Sequence, residues 1–266
     1  MKTQLSQENP FSTSRRLDHA FVWEHISVLA RERGLLEVLD YGAFDNALLQ
    51  ALDESHLLSS GLGVDVNAQV IELGPPEFSP RVSLRAISKR EAIPLGSESM
   101  DVVTLIGVLE HIHDQKRLLR EVHRVLKTGG VLIVAVPGQH LFSFLDLGNL
   151  KFRFPRLHRR FYTWRYSMDT YDERYVNSPN GLIGDIESEK RWHEHFSLTY
   201  LCSLLQSQGF VVQETDGMGF FHRLIHNIYW ISPVFKGSLE ALMKRDLRHF
   251  DRSELFAVSV KSGVTS

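Results

Sequence analysis

Two short runs in this chain carry residues able to do acid–base or ligand chemistry. They are Leu109-Glu110-His111-Ile112-His113 and Arg191-Trp192-His193-Glu194-His195. Histidine's reference pKa of about 6.5 suits it to taking a proton from a hydroxyl near neutral pH. His193 or His195 is therefore the candidate catalytic base, with Glu194 as its orienting group. Neither run supplies a third donor at the spacing of a metal site, and His-Glu-His is too compressed for a helical zinc pair, so no metal is expected. Asp65 closes the apolar run GLGVDV, where a carboxylate is placed to cap the helix that follows. In the turn Asp40-Tyr41-Gly42-Ala43-Phe44-Asp45-Asn46, Gly42 allows positive φ and close approach of backbone to a ligand.

These residues need a scaffold, and the chain between 101 and 138 supplies most of it. Residues 102–108 and 131–136 are almost wholly apolar, as strands covered on both faces must be. Between them Leu118, Leu119, Val122, Val125 and Leu126 fall at helical spacing, giving one face to pack on a sheet. Asp114 is placed to cap the start of that helix, and Gly129-Gly130 to end it with a left-handed C-cap. Strand, helix and strand then form a right-handed parallel crossover, with Glu110 and His111 in the loop at a strand's carboxyl end, where open α/β sheets bind ligands. Further strands are expected at 37–41, 61–66, 82–87, 210–215 and 255–260, making seven. Helices are expected at 14–33, 47–57 and 198–208, the last with Ser197 as N-cap.

The run VLEHIHD…LLREVHRVLKTGGVLIVAVPG resembles the second half of the class I S-adenosylmethionine-dependent methyltransferase domain, in the branch with a vLEHi…RvLkpGG pattern. That resemblance implies an α/β fold: a Rossmann-like seven-stranded doubly wound sheet with the last strand antiparallel, plus helical insertions. It implies S-adenosyl-L-methionine as cofactor. It also implies a cofactor site at Asp40, Gly42, Ala43, Phe44, Asp65, Val66, Leu109, Glu110 and His111, with Asp65 on the ribose and Glu110 more an anchor of its loop than a catalyst. Three positions depart from the family pattern: Phe44 and Asn46 stand at its later glycines, and Lys89 where an aspartate commonly meets the adenine. A lysine cannot accept the adenine amino group's hydrogen bond, so that contact must come from elsewhere. The insertions are similar to those of bacterial glycan-pathway methyltransferases.

Composition narrows the rest. Thirty Lys+Arg against 32 Asp+Glu leave a net charge of −2, which argues against nucleic acid as a general partner. One cysteine, Cys202, excludes an internal disulfide, and the absence of a signal-like start or an apolar run of membrane length points to a cytoplasmic protein. The chain divides into a helical extension (1–34), a cofactor-binding core (35–138), a substrate-side insertion or lid (139–195) and a C-terminal part (196–266) with a second insertion at 218–250. Connections of this length usually carry function. The first holds Lys151, Arg153, Arg156, Arg159, Arg160 and Arg165 interleaved with aromatics. Arg159, Arg160, Trp164 and Tyr166 are its candidate substrate residues, suited to a phosphate-bearing or glycan acceptor; a solvated basic face is the alternative. In the second, an apolar stripe beside Lys236, Lys244, Arg245 and Arg248 covers the core, pairs with another subunit, or meets a membrane surface or lipid-linked substrate. The favoured activity is O-methylation of a sugar, glycolipid precursor or related small metabolite. The alternatives are a secondary-metabolite N-, C- or phenol O-methyltransferase, and a non-catalytic binding protein on the same fold.

Overall fold

The computed structural model describes residues 9–11, 17–66, 79–88, 91–145, 153–172, 193–231 and 236–263. Seven strands are present: Leu36–Tyr41 (β1), Leu58–Asp65 (β2), Val82–Ala86 (β3), Met100–Ile106 (β4), Leu126–Pro137 (β5), Phe210–Met218 (β6) and Glu254–Lys261 (β7). They form one sheet in the order β3-β2-β1-β4-β5-β7-β6. The first five are parallel, and β7 runs antiparallel to both β5 and β6. The helices are Leu17–Arg33 (α1), Ala47–Glu54 (α2), Gln115–Val125 (α3), Pro155–Arg165 (α4), Met168–Tyr171 (α5), Leu198–Gln206 (α6), His222–Ile231 (α7) and Lys236–His249 (α8).

Alternation along the central strands builds two cores, one on each face of the sheet. Leu39, Val103 and Leu132 point to one side, where they pack with Leu119 and Val122 of α3 and Leu201 and Leu205 of α6. Their neighbours Val38, Val102 and Ile133 point to the other, against Trp23 and Ile26 of α1 and Leu49 and Leu52 of α2. Successive strand residues face opposite ways, so strands covered on both sides must be apolar throughout. Burying each large aliphatic side chain contributes about 1.5–3 kcal/mol, so the helices are held by these faces more than by their own propensity.

The expected caps are present at two helix starts. Asp114 accepts the Arg117 N–H at 3.0 Å, and Ser197 accepts that of Tyr200 at 3.2 Å. The expected glycine cap of α3 is not. The helix stops at Val125, Leu126 turns extended, and Gly129 takes its left-handed φ of 74° inside the irregular start of β5. Pairing of Leu126 with Met100 of β4 begins the strand before the glycines are reached.

One buried acid lies within the sheet. Asp40 of β1 accepts a 2.6 Å hydrogen bond from the Thr104 hydroxyl of β4, and burial pushes its carboxyl above the usual carboxylate range despite that bond. A carboxyl whose folded pKa is raised stabilises the fold while protonated, and that contribution is lost as pH rises through the folded value. Asp40→Asn should therefore gain stability relative to the parent as pH rises above about 4, the unfolded carboxyl's value, read as urea midpoints across a pH series. An equal pH slope in both proteins would contradict it.

A second expectation concerns the turn after β1. Gly42 has φ 84°, and a Cβ there would stand 2.6 Å from Val108 Cγ2. Gly42→Ala should destabilise by about 1–3 kcal/mol in chemical unfolding. Gly96→Ala, which meets nothing within 4 Å, should stay within about 0.5 kcal/mol of the parent.

Candidate active site

Three chain segments meet at the carboxyl ends of the parallel strands, on either side of the point where β1 separates β2 from β4. The first is the turn after β1. The N–H groups of Gly42 and Ala43 both donate to the Val64 carbonyl, at 2.7 and 3.2 Å, and the Phe44 N–H donates to Asp65 Oδ2 at 3.1 Å. The turn and the carboxylate expected to hold a ribose are thus fastened together. Phe44 and Asn46 replace glycines of the family pattern yet keep a glycine-like backbone, with φ of 45° and 60°. A bulky residue in that region is strained, so the fold holds the turn in shape against local preference. Phe44 is 46% exposed, whereas Asn46 is fully buried and its amide atoms have no hydrogen-bond partner among the described residues.

Two of the predicted cofactor residues do not present side chains to the cleft. Asp40 is buried against Thr104, so its carboxyl acts within the sheet. Leu109 is wholly buried in the core, and Glu110 and His111 of the same turn face the histidine segment instead. A β-strand exit into a 3-10 turn, Leu109–His111, rotates consecutive side chains away from one another, which a linear reading of the motif does not show. Val66 is partly buried against the same core. Lys89, Arg191 and Trp192 lie outside the described residues, as do Lys151 and the rest of 146–152.

The second and third segments are that 3-10 turn and residues 193–196. Phe196 N–H donates to the Pro137 carbonyl at 2.9 Å, and the Gln139 N–H to the Phe196 carbonyl at 2.7 Å, laying the segment beside the end of β5. Its other side is tied to the turn. Glu194 N–H reaches the Glu110 carbonyl at 3.5 Å, while buried Gln115 donates from Nε2 to Leu109 O (3.0 Å) and Glu194 Oε2 (2.9 Å). The Tyr200 hydroxyl donates to Gln115 Oε1 at 3.2 Å; burial and nearby Glu194 both push the Tyr200 phenol up. Glu194, expected to orient a histidine, also braces Gln115 through this bond. Gln115 was missed in the sequence because a glutamine in the first turn of a helix reads as surface.

The consequence is a cluster drawn from distant positions. His193 Nε2 lies 3.7 Å from Glu110 Oε1, and His111 Nε2 lies 3.9 Å from the same oxygen. The two rings stand 4.7 Å apart by centroid. The Glu110 side chain is only 4% exposed, against 16% for His111 and 21% for His193. Neither run supplies three donors by itself; the third comes from the far end of the first insertion, and His113 is not part of the group. His195 sits beside the cluster, its ring perpendicular to that of His193 at 5.8 Å.

The expected substrate residues lie on α4 and just past it. Arg159, Arg160, Trp164 and Tyr166 are exposed. The Arg159 guanidinium lies over the Tyr171 ring at 5.9 Å, and Tyr166 stacks on Tyr162. The first contact joins α4 to α5, the second lies within α4 and its C-cap, and neither brings these residues to the Glu110 cluster. In the second insertion the apolar stripe of α8 is divided: Met243 is buried, but Leu242 is 50% exposed. No described helix is long and apolar enough to cross a membrane.

Comparison with known proteins gives this arrangement a lineage. A probable S-adenosylmethionine-dependent methyltransferase of Mycolicibacterium smegmatis is 42% identical over 64 residues, 24% of each chain. A ubiquinone/menaquinone biosynthesis C-methyltransferase of Geotalea uraniireducens is 33% identical over 92 residues, 32% of this chain and 39% of that one. The chain thus spans about a quarter to two-fifths of the length of these relatives. Among solved structures, an S-adenosylmethionine-dependent methyltransferase from Mesorhizobium loti superposes with a TM-score of 0.50 at 17% identity, over 92% of this chain and 99% of that one. A cyclase, SpnF, superposes at 0.53 and 16% identity over 90% of this chain and 80% of that one. Such likenesses speak for the fold. The model of the methyltransferase domain matches residues 15–215, three-quarters of the sequence, and the chain belongs to that family.

Proposed function

We propose that this protein transfers the methyl group of S-adenosyl-L-methionine to a hydroxyl oxygen of a small-molecule acceptor. The observation that carries this reading is the facing of two half-sites at one sheet edge. The Gly42 turn and Asp65 carboxylate stand on one side, and Glu110, His111 and His193 on the other. Asp65 would accept from the ribose hydroxyls while the turn's backbone borders the cofactor. The acceptor oxygen attacks the methyl carbon, the carbon–sulfur bond breaks, and S-adenosylhomocysteine leaves. The hydroxyl proton passes to an imidazole, His193 or His195, the latter beside the cluster but outside it. The protein's part is alignment of sulfur, carbon and oxygen, since the cofactor supplies the electrophile.

An acceptor with an apolar portion and a polar or phosphate-bearing portion fits the surroundings. Phe142, Phe220, Phe221 and Phe250 form an aromatic group, and His140 links it to the end of β5 through Gly138 O (3.1 Å) and Phe220 O (3.0 Å). The exposed arginines of α4 supply sites for phosphate. A glycolipid precursor or lipid-linked sugar meets both demands, with contact at a membrane surface. A phenolic ring with an apolar tail also meets the first, and relatives named for ubiquinone biosynthesis favour it as the second reading. SpnF, a cyclase, is a reminder that fold alone does not dictate methyl transfer.

Incubating the protein with cofactor and candidate acceptors should yield a product heavier by about 14 daltons, the mass of one CH₂, in mass spectrometry. Formation of S-adenosylhomocysteine with none of the offered hydroxyl acceptors would count against the oxygen-transfer reading. Asp65→Ala should weaken S-adenosylmethionine binding at least about tenfold by calorimetry, through loss of charge-assisted hydrogen bonds. Parent-like affinity would remove Asp65 from the ribose. For the base, His195→Ala should lower turnover by about 10²–10⁴-fold with cofactor affinity retained.

A further inference from the structure

We propose that Glu110, His111 and His193 form a binding site for one divalent metal ion of borderline softness, such as zinc, cobalt or manganese. Each residue offers one donor, and the three donor atoms lie within 4.8 Å of one another. Donors about 2.1 Å from a shared ion stand roughly 3.0–3.5 Å apart at octahedral to tetrahedral angles. Glu110 Oε1 is 3.7 Å from one imidazole nitrogen and 3.9 Å from the other, and all three donors lie within 4.8 Å, so the two partly exposed rings must turn inward by roughly an ångström to close the set. Two imidazoles and one carboxylate suit ions between the hard alkaline earths and the soft thiolate-bound metals.

The surroundings argue for a built site over a chance meeting. His111 and His193 are 82 positions apart in the chain and meet because the backbone of Glu194 and the side chain of Gln115 bind both segments. Such supports hold donors in place before an ion arrives. Three protein donors leave coordination positions open, as in sites that bind a substrate oxygen. The position at the carboxyl edge, across from the Gly42 turn, makes that oxygen the acceptor's; this last point alone rests on the methyl-transfer reading. His193 would then be a ligand and unable to accept a proton, which leaves His195 as the base.

The test is direct. Protein stripped with a chelator is titrated with Co²⁺, following its visible absorption, and with Mn²⁺ by electron paramagnetic resonance. One ion per chain is expected, with imidazole nitrogen in the cobalt spectrum. Glu110→Gln and His193→Gln should each weaken binding at least about tenfold, while His249→Gln should not. Thermal unfolding of each metal-free variant checks its fold; His193 is partly exposed, so its substitution keeps the test sound should Glu110→Gln unfold. Metal should also raise the unfolding temperature of the parent and of His249→Gln, and not of the site variants. No stoichiometric binding at ~100 μM metal, or binding unchanged in a folded His193→Gln, would overturn the site. S-adenosylmethionine calorimetry on the same metal-free protein separates the two proposals. Cofactor binding without metal binding rejects the metal site alone, and metal binding without cofactor binding rejects the methyl-transfer reading alone.

Discussion

The close approach of the Gly42 turn to Val108 is the constraint on which the cleft depends. β1 lies between β2 and β4, so the chain leaving β1 must turn directly against the chain leaving β4. The distance that a Cβ at Gly42 would have from Val108 leaves no room for a side chain. With that contact made, the Gly42 and Ala43 N–H groups reach Val64, and Phe44 reaches Asp65. Strand order therefore fixes the first wall of the site before any ligand is considered. It also explains how Phe44 and Asn46 can sit in a left-handed backbone: neighbouring strands hold the turn, and the local strain of order 1–3 kcal/mol is outweighed by the packing around it.

The second wall needs more than strand order. The 3-10 turn after β4 presents Glu110 and His111, yet the cluster is complete only when residues 193–196 lie along the end of β5. Backbone bonds from Pro137 and Gln139 fix the height of that segment, and Gln115 fixes its distance from the turn. Gln115 is buried, and each of its polar atoms is committed, so it has one conformation available. A site assembled this way is rigid on the chemical side. Exposed aromatics or arginines on α4, in the 141–144 loop and between β6 and β7 stand apart from the paired strands.

Much of the scaffold was legible in the residues alone. Apolar runs at 102–108 and 131–136 could only be strands buried on both faces, and the helical spacing of Leu118, Leu119, Val122 and Val125 marked the crossover between them. Asp114 and Ser197 announced helix starts because a side-chain acceptor three residues before a free N–H is a local matter. The glycine cap after α3 was misread for the converse reason. Gly129 does take a left-handed φ, but pairing with β4 had already ended the helix at Val125. Leu109 and Asp40 belonged to the right motif and still turned inward, since the facing of a side chain at a strand exit depends on the turn that follows.

The sequence by itself determined the class of sheet, the family and the position of Gly42, Asp65 and Glu110 at strand ends, because period, caps and motif spacing act over a few residues. Tertiary structure alone decided that His193 joins Glu110 and His111, that Gln115 is their brace and that Glu194 serves Gln115. Those pairings cross about 80 residues of chain, and no local pattern records a distance closed by strand order and backbone bonds.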